Sequence, residues 1–262
     1  MDFETLEFEV RDHVAHITLN RPQDANAMDV QMSLELMHAS IECDETDDIR
    51  AVLVTGNGKM FSAGGDLKSF AASRGRIRHL VKEMTVYLHG AISRFGRMDA
   101  PVIMCVNGTA AGAGMSLALS GDLVLAARSA KFTMAYTNAA LSPDGSSTYF
   151  LPRLVGLRRA QELMITNRVL SAEEALEWGV VTQVCDDDAV LNEAQALAIR
   201  LANGPTRAFG AVKSMLVESF TTSFEAQMER ESRYIADMMA TRDAQHGIDS
   251  FIAKQKPSYE GR

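Results

Sequence analysis

What this 262-residue chain lacks narrows its chemistry before any motif is read. Positive charge is not in excess: 26 Lys and Arg stand against 34 Asp and Glu, for a formal net charge of −8. Binding to duplex nucleic acid is driven mainly by phosphate neutralisation, so no nucleic-acid partner is expected. No run of 18 apolar residues occurs, which excludes a conventional membrane-spanning helix and predicts no membrane partner. The first residues, Met1-Asp2-Phe3-Glu4, are acidic and carry no apolar signal segment. Cysteine is scarce: Cys43, Cys105 and Cys185 are odd in number, widely spaced and without metal-ligand spacing. Buried free thiols, a cytoplasmic location and no metal site are the expectation. The 15 methionines are scattered rather than striped, which reads as core filler rather than a plastic binding surface.

What is present is a strong alternation of patterns. Leu6, Phe8 and Val10 alternate with polar residues, as do Ala15, Ile17 and Leu19, predicting a hairpin that ends at Arg21-Pro22. Helical spacing of apolar residues follows over 30–43 and, for five turns, over 77–95. Three unalternating apolar runs, 51–54, 102–106 and 123–126, suit strands buried on both faces. The first two lead directly into glycine-bearing turns and then helices, a weak internal repeat of strand, turn and helix. After Pro152 the chain reads as almost wholly helical, with a capping box at Ser171 and Glu174 and a stop at Gly179. An α/β portion over 1–195 and a helical portion over 196–262 are therefore predicted, with no low-complexity linker between them.

Two glycine-rich turns carry the first chemical signal. In Ser62-Ala63-Gly64-Gly65-Asp66-Leu67, adjacent glycines permit backbone angles that aim an N–H, that of Ala63, into a cleft; the competing reading is a tight turn and nothing more. In Ala111-Gly112-Ala113-Gly114-Met115-Ser116, the turn opens an apolar helix, whose unsatisfied N–H groups, Ala113 among them, suit an anion. Two other readings of the second turn are weak. A dinucleotide fingerprint would need a third glycine and a distal acidic residue. A nucleophile elbow at Ser116 would need the serine directly after its strand, whereas it lies ten residues beyond Val106.

Taken in order along the chain, the motifs resemble the crotonase (enoyl-CoA hydratase/isomerase) superfamily. They are Asn20-Arg21-Pro22 with Asn26-Ala27, the two glycine turns, Pro101-Val102-Ile103 with Asn107-Gly108, Pro152-Arg153-Leu154-Val155-Gly156, Trp178-Gly179-Val180-Val181, and the tail Gly247-Ile248 with Phe251-Ile252-Ala253-Lys254. The resemblance implies a spiral of repeated ββα units with a helical C-terminal trimerisation region, assembled as a homotrimer or dimer of trimers. It implies a coenzyme A thioester as substrate, with no prosthetic group. It also implies an oxyanion hole from the N–H groups of Ala63 and Ala113. Ala25 and the segment Ala63, Gly64, Asp66 and Leu67 would line the CoA adenine site. Phe251 and Lys254 would hold the nucleotide, in many members from a neighbouring subunit; for Lys254 a solvated helix lysine is the equal alternative.

The resemblance also bears on the reaction. Hydratases of the family use two glutamates; the corresponding positions here are Ser116 and Tyr136, which hold their protons near neutral pH and cannot replace carboxylates as bases. A carboxylate does occur in Ser142-Pro143-Asp144-Gly145-Ser146-Ser147, where isomerases of the family, including the ring-epoxide type of phenylacetate pathways, carry an acid. Asp144 as the acid/base of a double-bond shift is the primary expectation. An enoyl-CoA hydratase with only weak hydration, an Asp144 nucleophile, as in a family hydrolase or dehalogenase, an N-cap role for Asp144, and a non-catalytic acyl-CoA binder remain alternatives. His79 and His89 fall on the long helix, where core or surface positions are the commoner fate.

Overall fold

The computed structural model describes residues 3–262. The hairpin forms as expected: β1 (Leu6–Arg11) pairs antiparallel with β2 (Val14–Leu19) across Asp12 and His13, both with positive φ. A single turn of 3-10 helix at Pro22–Asp24 leads to α1 (Val30–Glu45), capped by the Asp29 carboxylate on Met32 N–H. Then follow β3 (Ala51–Gly56), β4 (Met60–Ser62), α2 (Leu67–Ala72) and the long α3 (Ile77–Phe95). The pattern recurs as β5 (Val102–Val106), β6 (Thr109–Ala111) and α4 (Ala113–Leu119). A third pass gives β7 (Leu123–Ala127), β8 (Lys131–Thr133), α5 (Ser147–Val155) and α6 (Leu157–Thr166).

In each pass a long strand enters one sheet and a short strand a second one. The first sheet runs β1-β2-β3-β5-β7 and ends on β10 (Gln183–Cys185); all pairs but the hairpin are parallel. The second runs β4-β6-β8 in parallel and ends antiparallel on β9 (Leu170–Ser171). This is the spiral of ββα units that the motifs imply. The apolar runs are unalternating because β3 and β5 are covered on both faces: Ala51 to Val54 and Val102 to Val106 are all buried. α1 and α3 pack together on one side. α7 (Ala172–Glu177) starts in the expected capping box.

The chain continues in α8 (Val190–Ala202), α9 (Thr206–Ser219), α10 (Phe224–Met239) and α11 (Arg242–Ile252). The division expected at residue 195 falls inside α8. That helix packs across β3, β5 and β7 and buries Val190, Ala194, Ala198 and Ala202 along its whole length. Its apolar spacing belongs to the core of the spiral, so the packing changes character after Ala202. Among the described residues no helix is long and apolar enough to cross a membrane. The cysteines are all free and buried.

Candidate active site

The two glycine turns converge. Each leaves a strand of the second sheet, β4 or β6, and because those strands are parallel neighbours their ends lie side by side. Gly64 takes a φ of +95°, and a Cβ placed on it would stand 2.8 Å from the Ala111 carbonyl oxygen and 3.1 Å from the Ala113 nitrogen. A Cβ on Gly114 would stand 2.5 Å from the Ser62 carbonyl oxygen. At these two positions the absence of a side chain is what lets the backbones touch.

The hydrogen bonding decides which amides are available. Ala63 N–H donates to the Ala25 carbonyl at 2.9 Å, so the expectation that it faces an oxyanion is corrected: that donor is engaged within the fold. The corresponding amide in the turn is that of Gly65, which has no acceptor among the described residues, while its neighbours Gly64 and Asp66 donate to Ser62 Oγ and the Met28 carbonyl. Ala113, the first residue of α4, likewise has no acceptor for its N–H, since the N-cap is Gly112 and offers no side chain. Two donors, Gly65 and Ala113, thus stand on the touching turns.

The rest of the first turn is braced. Ala25 closes the 3-10 turn in a left-handed conformation, and Asn26, fully buried, bonds the Asn57 and Met60 carbonyls. Asp66 caps α2 through Lys68 and Ser69 N–H and meets the Arg21 guanidinium at 3.1 Å. Burial opposes ionisation of Asp66, but the Ser69 amide and Arg21 outweigh it and hold the carboxyl below its ordinary range. Ala63 and Leu67 remain exposed beside this brace. Phe251 and Lys254 lie at the end of α11, exposed; neither bonds to the turn among the described residues.

The two positions expected to hold glutamates in a hydratase are brought together. Ser116 Oγ, fully buried, lies 2.9 Å from the Tyr136 hydroxyl, which also donates to the Asp144 carbonyl at 3.3 Å. Burial pushes the Tyr136 phenol well above its usual range, so this pair stays uncharged. The Asp144 loop packs directly on it, since a Cβ on Gly145 would stand 2.9 Å from Ser116 Cβ. The Asp144 carbonyl, not its carboxylate, accepts from Ser147 Oγ, so the N-cap alternative for the side chain does not hold. The carboxylate instead meets His89 Nε2 at 2.8 Å, with both side chains partly exposed. Sequence periodicity put His89 on the correct helix, but its heading toward a loop 55 residues away had no local signal.

Comparison with known proteins gives the family and the fold. The family model described as enoyl-CoA hydratase/isomerase matches residues 9–262. A 1,2-epoxyphenylacetyl-CoA isomerase of Escherichia coli (strain K12) is 38% identical over 250 residues, covering 95% of each chain. A 4-chlorobenzoyl coenzyme A dehalogenase of Arthrobacter sp is 35% identical over 84% of this chain and 80% of the dehalogenase. The crystal structure of an enoyl-CoA hydratase from Polaromonas sp. JS666 superposes with a TM-score of 0.92 at 30% identity, covering 97% of this chain and 99% of that one. These three relatives carry three different reactions on one scaffold. The chain belongs to the enoyl-CoA hydratase/isomerase family and has the crotonase fold.

Proposed function

We propose that the chain is an acyl-CoA isomerase that moves a double bond, converting a 3-enoyl-CoA to a 2-enoyl-CoA or performing the equivalent shift on a related epoxy or ring acyl-CoA. The observation that carries this reading is one carboxylate, Asp144, set over an uncharged Ser116–Tyr136 pair where hydration would require carboxylates. In the proposed reaction an Asp144 carboxylate oxygen takes the proton from C2. The electrons move to the thioester oxygen, where the Gly65 and Ala113 N–H groups stabilise the charge, and Asp144 returns the proton at C4. Preorganised donors of this kind are worth about 3–4 kcal/mol each in a dry site. His89 holds one Asp144 oxygen, leaving the other for the proton.

The coenzyme is proposed to lie along the first turn. Ala25, Ala63, Gly64, Asp66 and Leu67 would border the adenine, with Asp66 shaping the turn rather than touching it. Phe251, 85% exposed, and Lys254 would reach the nucleotide of a neighbouring subunit in a homotrimer or dimer of trimers, and no prosthetic group is needed. Three buried thiols suit a reducing, cytoplasmic setting.

A second reading has a specific observation in its favour. The His89–Asp144 pair, together with the similarity to a chlorobenzoyl-CoA dehalogenase, fits Asp144 as a nucleophile. One experiment separates the two. Asp144→Asn is assayed on 3-enoyl-CoA, and the wild type is examined by mass spectrometry after exposure to 3-enoyl- and 4-chlorobenzoyl-CoA. The isomerase reading predicts a loss of kcat of about 10²-fold or more in the variant, the usual range for an acid/base, and an unmodified Asp144 in the wild type. Wild-type turnover by Asp144→Asn removes Asp144 from the mechanism; an aryl ester on Asp144 selects the nucleophile.

A further inference from the structure

We infer that Ser116 and Tyr136 are positioning residues: their joined hydroxyls hold the Asp144 loop by its backbone and so aim its carboxylate. This rests on the isomerase reading above and adds to it the device that fixes the acid/base. The loop needs one. Residues 141–146 lie in no helix or strand, and Gly145 and Ser146 take successive left-handed conformations with φ of +61° and +67°. Three donors converge on the Asp144 carbonyl oxygen. Ser147 supplies two of them, its N–H at 3.4 Å and its hydroxyl at 2.9 Å, and both belong to the loop's own exit into α5. The third, the Tyr136 hydroxyl at 3.3 Å, comes from a turn of 3-10 helix, Tyr136–Ala139, and ties the loop to the spiral.

The tie continues to the oxyanion turn. Tyr136 Oη lies 2.9 Å from Ser116 Oγ, which lies 3.2 Å from the carbonyl oxygen of Gly112, the residue before Ala113. A line of hydrogen-bonded oxygens thus joins the turn proposed to hold the charge to the loop proposed to move the proton. The Gly112 carbonyl is already served by the Ser116 N–H at 3.0 Å. Ser116 Oγ is therefore free to donate to Tyr136, and Tyr136 to the Asp144 carbonyl, each bond polarising the next.

The residue types fit this task. Burial keeps the Tyr136 phenol protonated, so the pair donates without repelling the carboxylate it supports, as a glutamate at either position would. Size matters as well: a Cβ on Gly145 would stand 2.9 Å from Ser116 Cβ, so a longer side chain at 116 would lift the loop. With His89 Nε2 on one carboxylate oxygen at 2.8 Å, Asp144 is held both at its backbone and at its head. A misplacement of about 1 Å in such a group costs about 10²-fold in rate.

The experiment pairs kinetics with a spectrum that needs no turnover. Full-length wild type, Tyr136→Phe and Ser116→Ala are assayed on 3-enoyl-CoA in deuterium oxide, and the ring-nitrogen resonances of His89 are recorded without substrate. A loosened Asp144 still removes the C2 proton but delivers to C4 less often. Tyr136→Phe is expected to lose kcat about 10- to 100-fold with KM within about twofold, and to incorporate deuterium at C2 faster relative to product than the wild type. The double variant should lose no more than Tyr136→Phe alone, because Ser116 acts through Tyr136. The His89 signal in Tyr136→Phe should move toward its position in Asp144→Ala. An unmoved His89 signal in the folded variants, or an unchanged ratio of exchange to product, overturns the inference and leaves the isomerase reading standing. A wild type that does not isomerise 3-enoyl-CoA while the His89 signal still responds removes that reading and keeps the tie between Tyr136 and Asp144.

Discussion

Gly64 and Gly114 sit where two turns from different repeats of the spiral press together, and each would drive a Cβ into a carbonyl oxygen of the other turn. The separation of the Gly65 and Ala113 amides depends on that contact. Gly64→Ala must adopt a φ of +95° with a methyl 2.8 Å from Ala111 O, a conformation costing about 1–3 kcal/mol before any steric relief. The expected outcome is a drop in thermal stability of that order, together with a fall in kcat/KM of about 10²-fold as one donor moves out of place. Thermal unfolding and steady-state kinetics on the same preparation check both. At this scale the sequence is legible in part. The glycine doublets mark the turns, and Asp144 stands out as a carboxylate where two others are missing. The choice between Ala63 and Gly65 is not legible, because it turns on whether the Ala25 carbonyl, from a different loop, accepts the Ala63 N–H. His89 escapes for the same reason: helical spacing fixes which face a residue shares, not which distant loop folds over that face.

At the level of elements, the long parallel strands announce themselves because burial on both faces demands continuous apolar runs, and α3 because its 3,4 spacing persists for five turns. The second sheet does not. Its strands β4, β6 and β8 are three residues each, too short to show a period, and they are held by pairing with one another across the repeats. α9 is joined to the spiral by a buried cation that no local pattern reveals: Lys213 Nζ donates to the Phe95 and Ala100 carbonyls and meets Asp122 at 2.8 Å. Burial pushes the Asp122 carboxyl up and the Lys213 ammonium down, and their mutual attraction opposes both shifts. α10 is the opposite case. Phe224, Met228, Ile235 and Met239 recur on one face and all are exposed. A patch of this kind marks an interaction surface. The proposed assembly predicts three or six chains per particle by light scattering. Ile235→Asp should shift the population toward single chains; a wild type that is already one chain per particle contradicts the assembly.

Across the whole molecule, one core runs from the hairpin through α8, and beyond Ala202 the chain stays tied to the spiral through Lys213 and through Arg50, which donates to the Gly204 and Tyr259 carbonyls. The acidic balance leaves the anionic coenzyme to backbone amides and a few placed cations rather than to a basic surface. In the proposed reaction the repeats of the spiral serve to bring the Gly65 and Ala113 amides to one thioester oxygen, so catalysis would depend on backbone geometry. The most direct test is the vibrational spectrum of a carbonyl-labelled phenylacetyl-CoA bound to the wild-type protein. Two N–H donors on the thioester oxygen weaken the C=O bond, so the labelled band should fall to lower frequency on binding and recover toward the free value in Gly64→Ala. A bound thioester whose carbonyl band stays at the frequency it has in water would contradict the claim.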